Sequence, residues 1–174
     1  VWTINLHQGE WRRDGTWAYD AAYGGSSDIP PWSNRQSGTD DHGQSVTWCQ
    51  TDAQGFIGRH IRQRGLGHRV CQIYCDSREW DIRNYPRGFF DTALIDGGHT
   101  PDVVASDTRK ALELVRPGGL VLWHDFCLDD AARAGCETVQ GVTTAINENR
   151  DLLMRELKEL FWIQPSWILL GMRR

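Results

Sequence analysis

The sequence predicts an α/β fold: a three-layer sandwich on a mostly parallel sheet, finished by a C-terminal antiparallel hairpin. Three observations carry that reading. Thr92-Ala93-Leu94-Ile95 and Leu120-Val121-Leu122-Trp123 are short apolar runs, each stopped by polar turn residues, the pattern of strands buried on both faces. Between them Val104, Thr108, Ala111, Leu112 and Val115 recur at helical spacing, which makes the stretch a β-α-β unit. The order strand, helix, strand, helix, strand, helix and hairpin along the chain then fits a layered α/β domain.

Taken in order, Val1 to Leu6 reads as a buried strand that begins at the first residue, which is not a methionine, so a segment upstream is expected to be missing. Residues 9–50 are rich in Gly, Ser, Asp, Trp and Pro without sustained periodicity and read as an irregular loop. Loops of that length inside a compact domain are usually functional or disordered. Trp11, Trp17, Tyr19, Tyr23 and Trp32 suit a lid over a ligand, a partner contact or a satellite core equally well. Gln54 to Arg64 places Phe56, Ile57, His60 and Ile61 on one helical face, and Gly65 is positioned to end that helix in a left-handed conformation. Val70 to Cys75 follows as a strand. Pro101 suits the first turn of the next helix, and Pro117-Gly118-Gly119 is expected to end it before the strand at Leu120. Thr138 to Asn149 is helix-like with Val142, Ala145 and Ile146 inward, and Asp151 to Leu157 continues or renews it. Leu160 to Ile163 and Trp167 to Met172 form the hairpin around Gln164-Pro165-Ser166.

A chain of 174 residues suits one domain with a sizeable core, and 40% apolar with 24% charged residues is ordinary for a soluble protein. The net charge of -4 and the scattered arginines argue against a nonspecific nucleic-acid binder, whose affinity rests on neutralising phosphates. No apolar stretch approaches the roughly 20 residues that span a bilayer, and Val1 onward lacks the blocks of a secretion signal. A cytoplasmic location is therefore expected. The five cysteines lack the paired spacing of a structural zinc site and read as reduced thiols. Cys71 and Cys75 would share one strand face, which favours packing over metal binding.

In open parallel sheets, ligands sit beyond the carboxyl ends of the strands, and there Asp96, His99, His124 and Asp125 would emerge. Asp96 also suits a cap on its turn, with Gly97 and Gly98 present for backbone freedom, and His99 also suits a surface or capping role. His124-Asp125 directly follow Leu-Val-Leu-Trp and must face either solvent or a ligand.

The segments VWTINL, RVCQIYCDS, FDTALIDGGHT, RPGGLVLWHDF and GVTTAINE, with the terminal hairpin, make the chain similar to a known family. It resembles the class I, Rossmann-like S-adenosylmethionine-dependent methyltransferases, especially small-molecule and sugar O-methyltransferases of the macrocin and mycinamicin type. The likeness covers most of the chain outside the loop, as a single methyltransferase-like domain over 1–174. It implies that Asp96, His124 and Asp125 hold a divalent cation, with Mg²⁺ suited by the hard oxygen ligands. The family more often has an acidic residue where His124 stands, which leaves the metal's identity open. It implies that His99 is the general base, taking a proton from an acceptor hydroxyl. For S-adenosylmethionine it points to Asn5 at the ribose, to Asp76 and Ser77 at the adenine, and to Asp96 as a further cofactor-facing residue. The family's glycine-rich turn between its first strand and first helix has no counterpart here. The chain is thus expected to start at the family's second strand and to be N-terminally incomplete. The expected partners are a small-molecule substrate, and either a second copy or an N-terminal segment supplied elsewhere, with no nucleic acid and no membrane. The competing reading is a methyltransferase-like scaffold without turnover, motivated by the lost turn and the uncharged Asn5. A metal-dependent phosphohydrolase reading of His124-Asp125 is weaker, because such hydrolases set that pair on helices.

Overall fold

A computed structural model describes residues 1–5, 35–39, 45–49, 61 and 63–174. The chain falls into two compact units, Val1–Asp76 and Ser77–Arg174. In the first, strand β1 (Trp2–Asn5) pairs in parallel with β4 (Cys71–Tyr74), so that Trp2 faces Cys71 and Asn5 faces Tyr74. Their amino ends are tied by Cys71 N–H donating to Val1 O at 2.8 Å and by the Val1 ammonium donating to Arg69 O at 2.8 Å. β2 (Arg35–Thr39) and β3 (Ser45–Cys49) form an antiparallel pair inside the stretch that composition reads as irregular loop. The Val46-Thr47-Trp48 run has the β-branched and aromatic character of a strand, whereas its partner RQSGT has only Thr39, and that asymmetry hid the pairing. The rest of 9–50, the tip of the first predicted strand at Leu6 and most of the helix expected over 54–64 lie outside the described residues. Where that helix ends, Ile61 and Gln63 are helical, Gly65 has φ +67, and Leu66 N–H donates to Ile61 O at 2.9 Å. That six-to-one bond around a left-handed glycine is the Schellman stop the sequence predicts.

The second unit is built around the expected β-α-β. β5 (Phe90–Ile95) leads to helix α1 (Pro101–Leu114), which passes directly into β6 (Val115–Trp123). The turn expected at Pro117-Gly118-Gly119 is instead an irregular part of β6, opposite a register shift between Phe90 and Thr92. Two backbone facts require the glycines there: Gly118 has φ +74, and a Cβ on Gly119 would fall 2.5 Å from Asp91 O. α2 (Asp130–Gly135) is capped by Asp129, whose Oδ1 accepts from Ala132 N–H at 2.8 Å. α3 (Glu137–Glu148) and α4 (Arg150–Glu156) renew rather than continue the helix, breaking at Asn149. β7 (Leu157–Ile163) and β8 (Ile168–Arg173) form the hairpin.

The sheet order is β5-β6-β8-β7. β5 and β6 run parallel with Ile95 opposite Trp123, and β8 joins β6 antiparallel with Leu169 opposite Trp123. The second hairpin strand is therefore the inner one, and β7 is the edge. Among the described residues, parallel pairing is confined to β1 with β4 and β5 with β6, so the mostly parallel expectation holds only for the predicted β-α-β and the β1/β4 pair. One core joins Ile95, Val121, Trp123 and Leu169 of the sheet to Val104 and Leu112 of α1 and to Val142, Ala145 and Ile146 of α3. Trp123 is fully buried, and its indole N–H donates to Thr108 Oγ1 at 2.8 Å, which satisfies the one polar atom that burial would otherwise strand. The opposite sheet face differs from the both-faces expectation. By register, Leu94, Leu122, Leu170 and Phe161 lie in one row across it, with Leu94 61% and Phe161 51% exposed. An apolar strand sequence does not by itself reveal whether a second layer covers it. Among the described residues no helix is long and apolar enough to cross a membrane.

Candidate active site

The carboxyl ends of β5 and β6 finish level, with Ile95 opposite Trp123 and His124 N–H donating to Ile95 O at 3.0 Å. Asp96 and His124 are thereby placed side by side as the first residues beyond the sheet. Two residues and a turn further on, His99 precedes α1, whose N-cap is Thr100 and whose first residue is Pro101. Asp125 adopts φ +59, a left-handed conformation that Asp tolerates better than most residues. A strained backbone at a strand end, holding a buried carboxylate, is a recurrent mark of function.

The four side chains meet. His124 Nδ1 lies 3.1 Å from Asp96 Oδ1 and 3.1 Å from Asp125 Oδ1. The other Asp125 oxygen, Oδ2, lies 3.1 Å from His99 Nε2, and Asp96 Oδ1 is 3.9 Å from the same nitrogen. Asp125 is the hub, one oxygen for each imidazole, and its carboxyl is held below the usual carboxylate range. The contact with His99 is the main cause and outweighs burial; the charges of His124 and His99 and a hydrogen bond from Thr138 add to it. Asp125 therefore carries its negative charge where a proton taken up by either ring is compensated.

Helix α3 braces this hub, a contribution that sequence reasoning missed. Thr138, in its first turn, bonds Asp125 and lies 3.1 Å from Cys136 Sγ through its hydroxyl. Gly141 lies one turn on, and a Cβ there would clash with the His99 carbonyl oxygen. The helix can approach the His99 turn only because that side chain is absent. A glycine inside an otherwise regular helical pattern was the available signal.

Asn5 and Asp76 belong to the first unit, both at the carboxyl end of the parallel β1/β4 pair, Asn5 opposite Tyr74 and Asp76 two residues past it. Ser77 opens the second unit, where its carbonyl accepts from Lys110 Nζ at 2.5 Å. A cavity of about 360 Å³ lined by Arg87, Arg109, Leu112, Val115, Leu152 and Arg173 contains none of the predicted site residues and lies by the opposite ends of β5 and β6. Groups that carry charge and protons converge instead in the acid and imidazole cluster.

For a cation the donor set fits in chemistry. His124 Nδ1 is shielded from solvent and makes no well-aligned hydrogen bond, though two carboxylate oxygens lie 3.1 Å away. Neighbouring ligands of an octahedral ion at about 2.1 Å are about 3.0 Å apart, which matches that spacing. Among the described residues, however, no three His, Cys, Asp or Glu side chains stand as a ready metal-binding group.

Residues 33–126 match the family model described as a methyltransferase domain, which is more than half of the chain. The chain belongs to that methyltransferase family. Among solved structures, the O-methyltransferase NovP aligns over 99% of this chain and 59% of its own, with 15% identity and a TM-score of 0.56. An O-methyltransferase family protein from Burkholderia thailandensis aligns over 71% and 41%, with 19% identity and a TM-score of 0.49. TomG from Streptomyces achromogenes, an O-methyltransferase involved in tomaymycin synthesis and crystallised with S-adenosylmethionine, aligns over 70% and 57%, with 18% identity and a TM-score of 0.48. The NovP likeness shows the Rossmann-like fold. The chain spans between 41% and 59% of the length of these structures. A comparison with curated proteins finds no match.

Proposed function

We propose that the chain belongs to an S-adenosylmethionine-dependent O-methyltransferase that modifies a hydroxyl of a small molecule or sugar. The observation that carries the proposal is the His99–Asp125 contact of 3.1 Å at the carboxyl rim of a parallel strand pair, in a chain of the methyltransferase family. As the acceptor oxygen takes the sulfonium methyl, the carbon–sulfur bond breaks and neutral S-adenosylhomocysteine leaves. The hydroxyl proton passes to His99, and Asp125 compensates the charge the ring acquires. Asn5, Asp76 and Ser77 hold the adenosine part, and the remaining task of the fold is to align oxygen, methyl carbon and sulfur. A divalent cation, Mg²⁺ by the carboxylate ligands, would supply acidity to the acceptor hydroxyl when bound; Asp96, His124 and Asp125 are the side chains to hold it.

Two measurements test this. Calorimetry should detect S-adenosylmethionine binding, and His99→Ala should keep that binding while methyl transfer falls by about 10²–10⁴-fold. Binding with no turnover on any hydroxyl acceptor would instead favour the scaffold reading. Exhaustive chelation should lower the rate at least tenfold, with recovery on adding Mg²⁺. A rate indifferent to chelation would remove the cation from the proposal and leave His99 in it.

A further inference from the structure

Lys110 is a half-buried cation that the chemistry above does not use. Its Nζ donates to Ser77 O at 2.5 Å, Arg78 O at 2.8 Å and Trp80 O at 2.9 Å. An ammonium has three N–H donors, so all three are committed to a single turn. That turn is closed by Trp80 N–H donating to Ser77 O at 3.3 Å, and it follows directly on Asp76. Three carbonyl dipoles aimed at one point repel one another unless a cation stands there. Lys110 reaches them from α1, some thirty residues away in sequence, and the same helix holds the turn a second time, through Arg78 Nη1 to Asp102 Oδ2 at 3.2 Å. That second tie is solvent-exposed and adds little, so the ammonium is the fastening that matters.

We infer that Lys110 is a positioning residue for the cofactor. By drawing the Ser77, Arg78 and Trp80 carbonyls onto its ammonium it fixes the backbone that presents Ser77 to the adenine. The inference rests on the proposed adenine role of Asp76 and Ser77 and assigns to α1 a task in binding, beside following directly on the turn that carries His99. Lys110 touches neither the acceptor nor the acid and imidazole cluster, and its loss acts through the turn.

The test is calorimetry on the full chain with two probes, S-adenosylmethionine and adenosine, for the wild type and Lys110→Met. The dissociation constant should rise about tenfold for both probes by the same factor, because the defect lies at the adenosine end. Tryptic cleavage after Arg78 should become faster in the variant, which reports the opened turn without any ligand. Should Lys110→Met fail to fold, Lys110→Gln keeps part of the donor set, and a smaller rise for both probes is expected. Equal affinities in variant and wild type would overturn the inference, as would a loss for S-adenosylmethionine with none for adenosine. A wild type that binds neither probe would overturn the adenine reading itself, and this inference with it.

Discussion

Individual side chains here are set by their nearest charged neighbour. Asp81 shows this away from the site: Arg83 Nε and Nη2 donate to its two oxygens at 2.9 and 2.8 Å, and Arg83 N–H donates to Oδ1 at 3.0 Å. The side-chain bond from Arg83 is the larger cause, the backbone bond the next, and the carboxyl is lowered from 3.8 to about 2. A group whose folded value is depressed contributes stability above its unfolded value and loses it as the pH falls through the folded one, here between 3.8 and about 2. The Asp81 carboxyl resonance should titrate with a midpoint near 2, and Arg83→Gln should move that midpoint up toward 3.8. A wild-type midpoint at 3.8 would show that the pair is not formed in solution. Asp96, His99, His124 and Asp125 were legible in sequence because polar residues that end apolar runs have nowhere else to go. Thr138 and Lys110 were not, since a threonine at a helix start and a lysine on a helix are common for many reasons.

At the scale of elements, the contact between α3 and the turn after β5 decides where the proposed base sits. Gly141 is its closest point: an added Cβ would clash with the His99 carbonyl oxygen and stand 3.2 Å from the His99 carbonyl carbon. Gly141→Ala must push α3 or the turn aside, which should cost about 1–3 kcal/mol in urea unfolding. It should lower methyl transfer more than S-adenosylmethionine binding, because the displaced group is His99. An alanine variant with native stability and rate would show that the helix has slack at this point. Helix α1 was foreseen to within a residue: the apolar periodicity runs to Val115 and the helix ends at Leu114. β6 was foreseen only from Leu120, because Pro117-Gly118-Gly119 has turn composition, and it is the close approach of Asp91 to Gly119 that keeps the strand intact there. α2 went unread although Asp129-Asp130-Ala131-Ala132 carries a cap followed by helix formers.

For the molecule as a whole, the clustered core among the described residues runs from Ile95 to Leu169 and lies entirely within the second unit. A fragment of residues 77–174 should therefore unfold in one cooperative transition in urea, with an m value of about 1 kcal/mol/M. A broad, non-cooperative melt would show that the core needs the preceding residues. The fold class was legible because apolar periodicity is a local signal; the hairpin's order in the sheet was not, because strand adjacency is settled by partners distant in sequence. The row formed by Leu94, Leu122, Leu170 and Phe161 bears directly on handling such a fragment. A continuous greasy band on a small soluble body promotes clumping as the protein is concentrated. Light scattering should rise with concentration, and one charged replacement at Leu94, the most open member of the row, should restore a monodisperse solution without disturbing the acid and imidazole cluster.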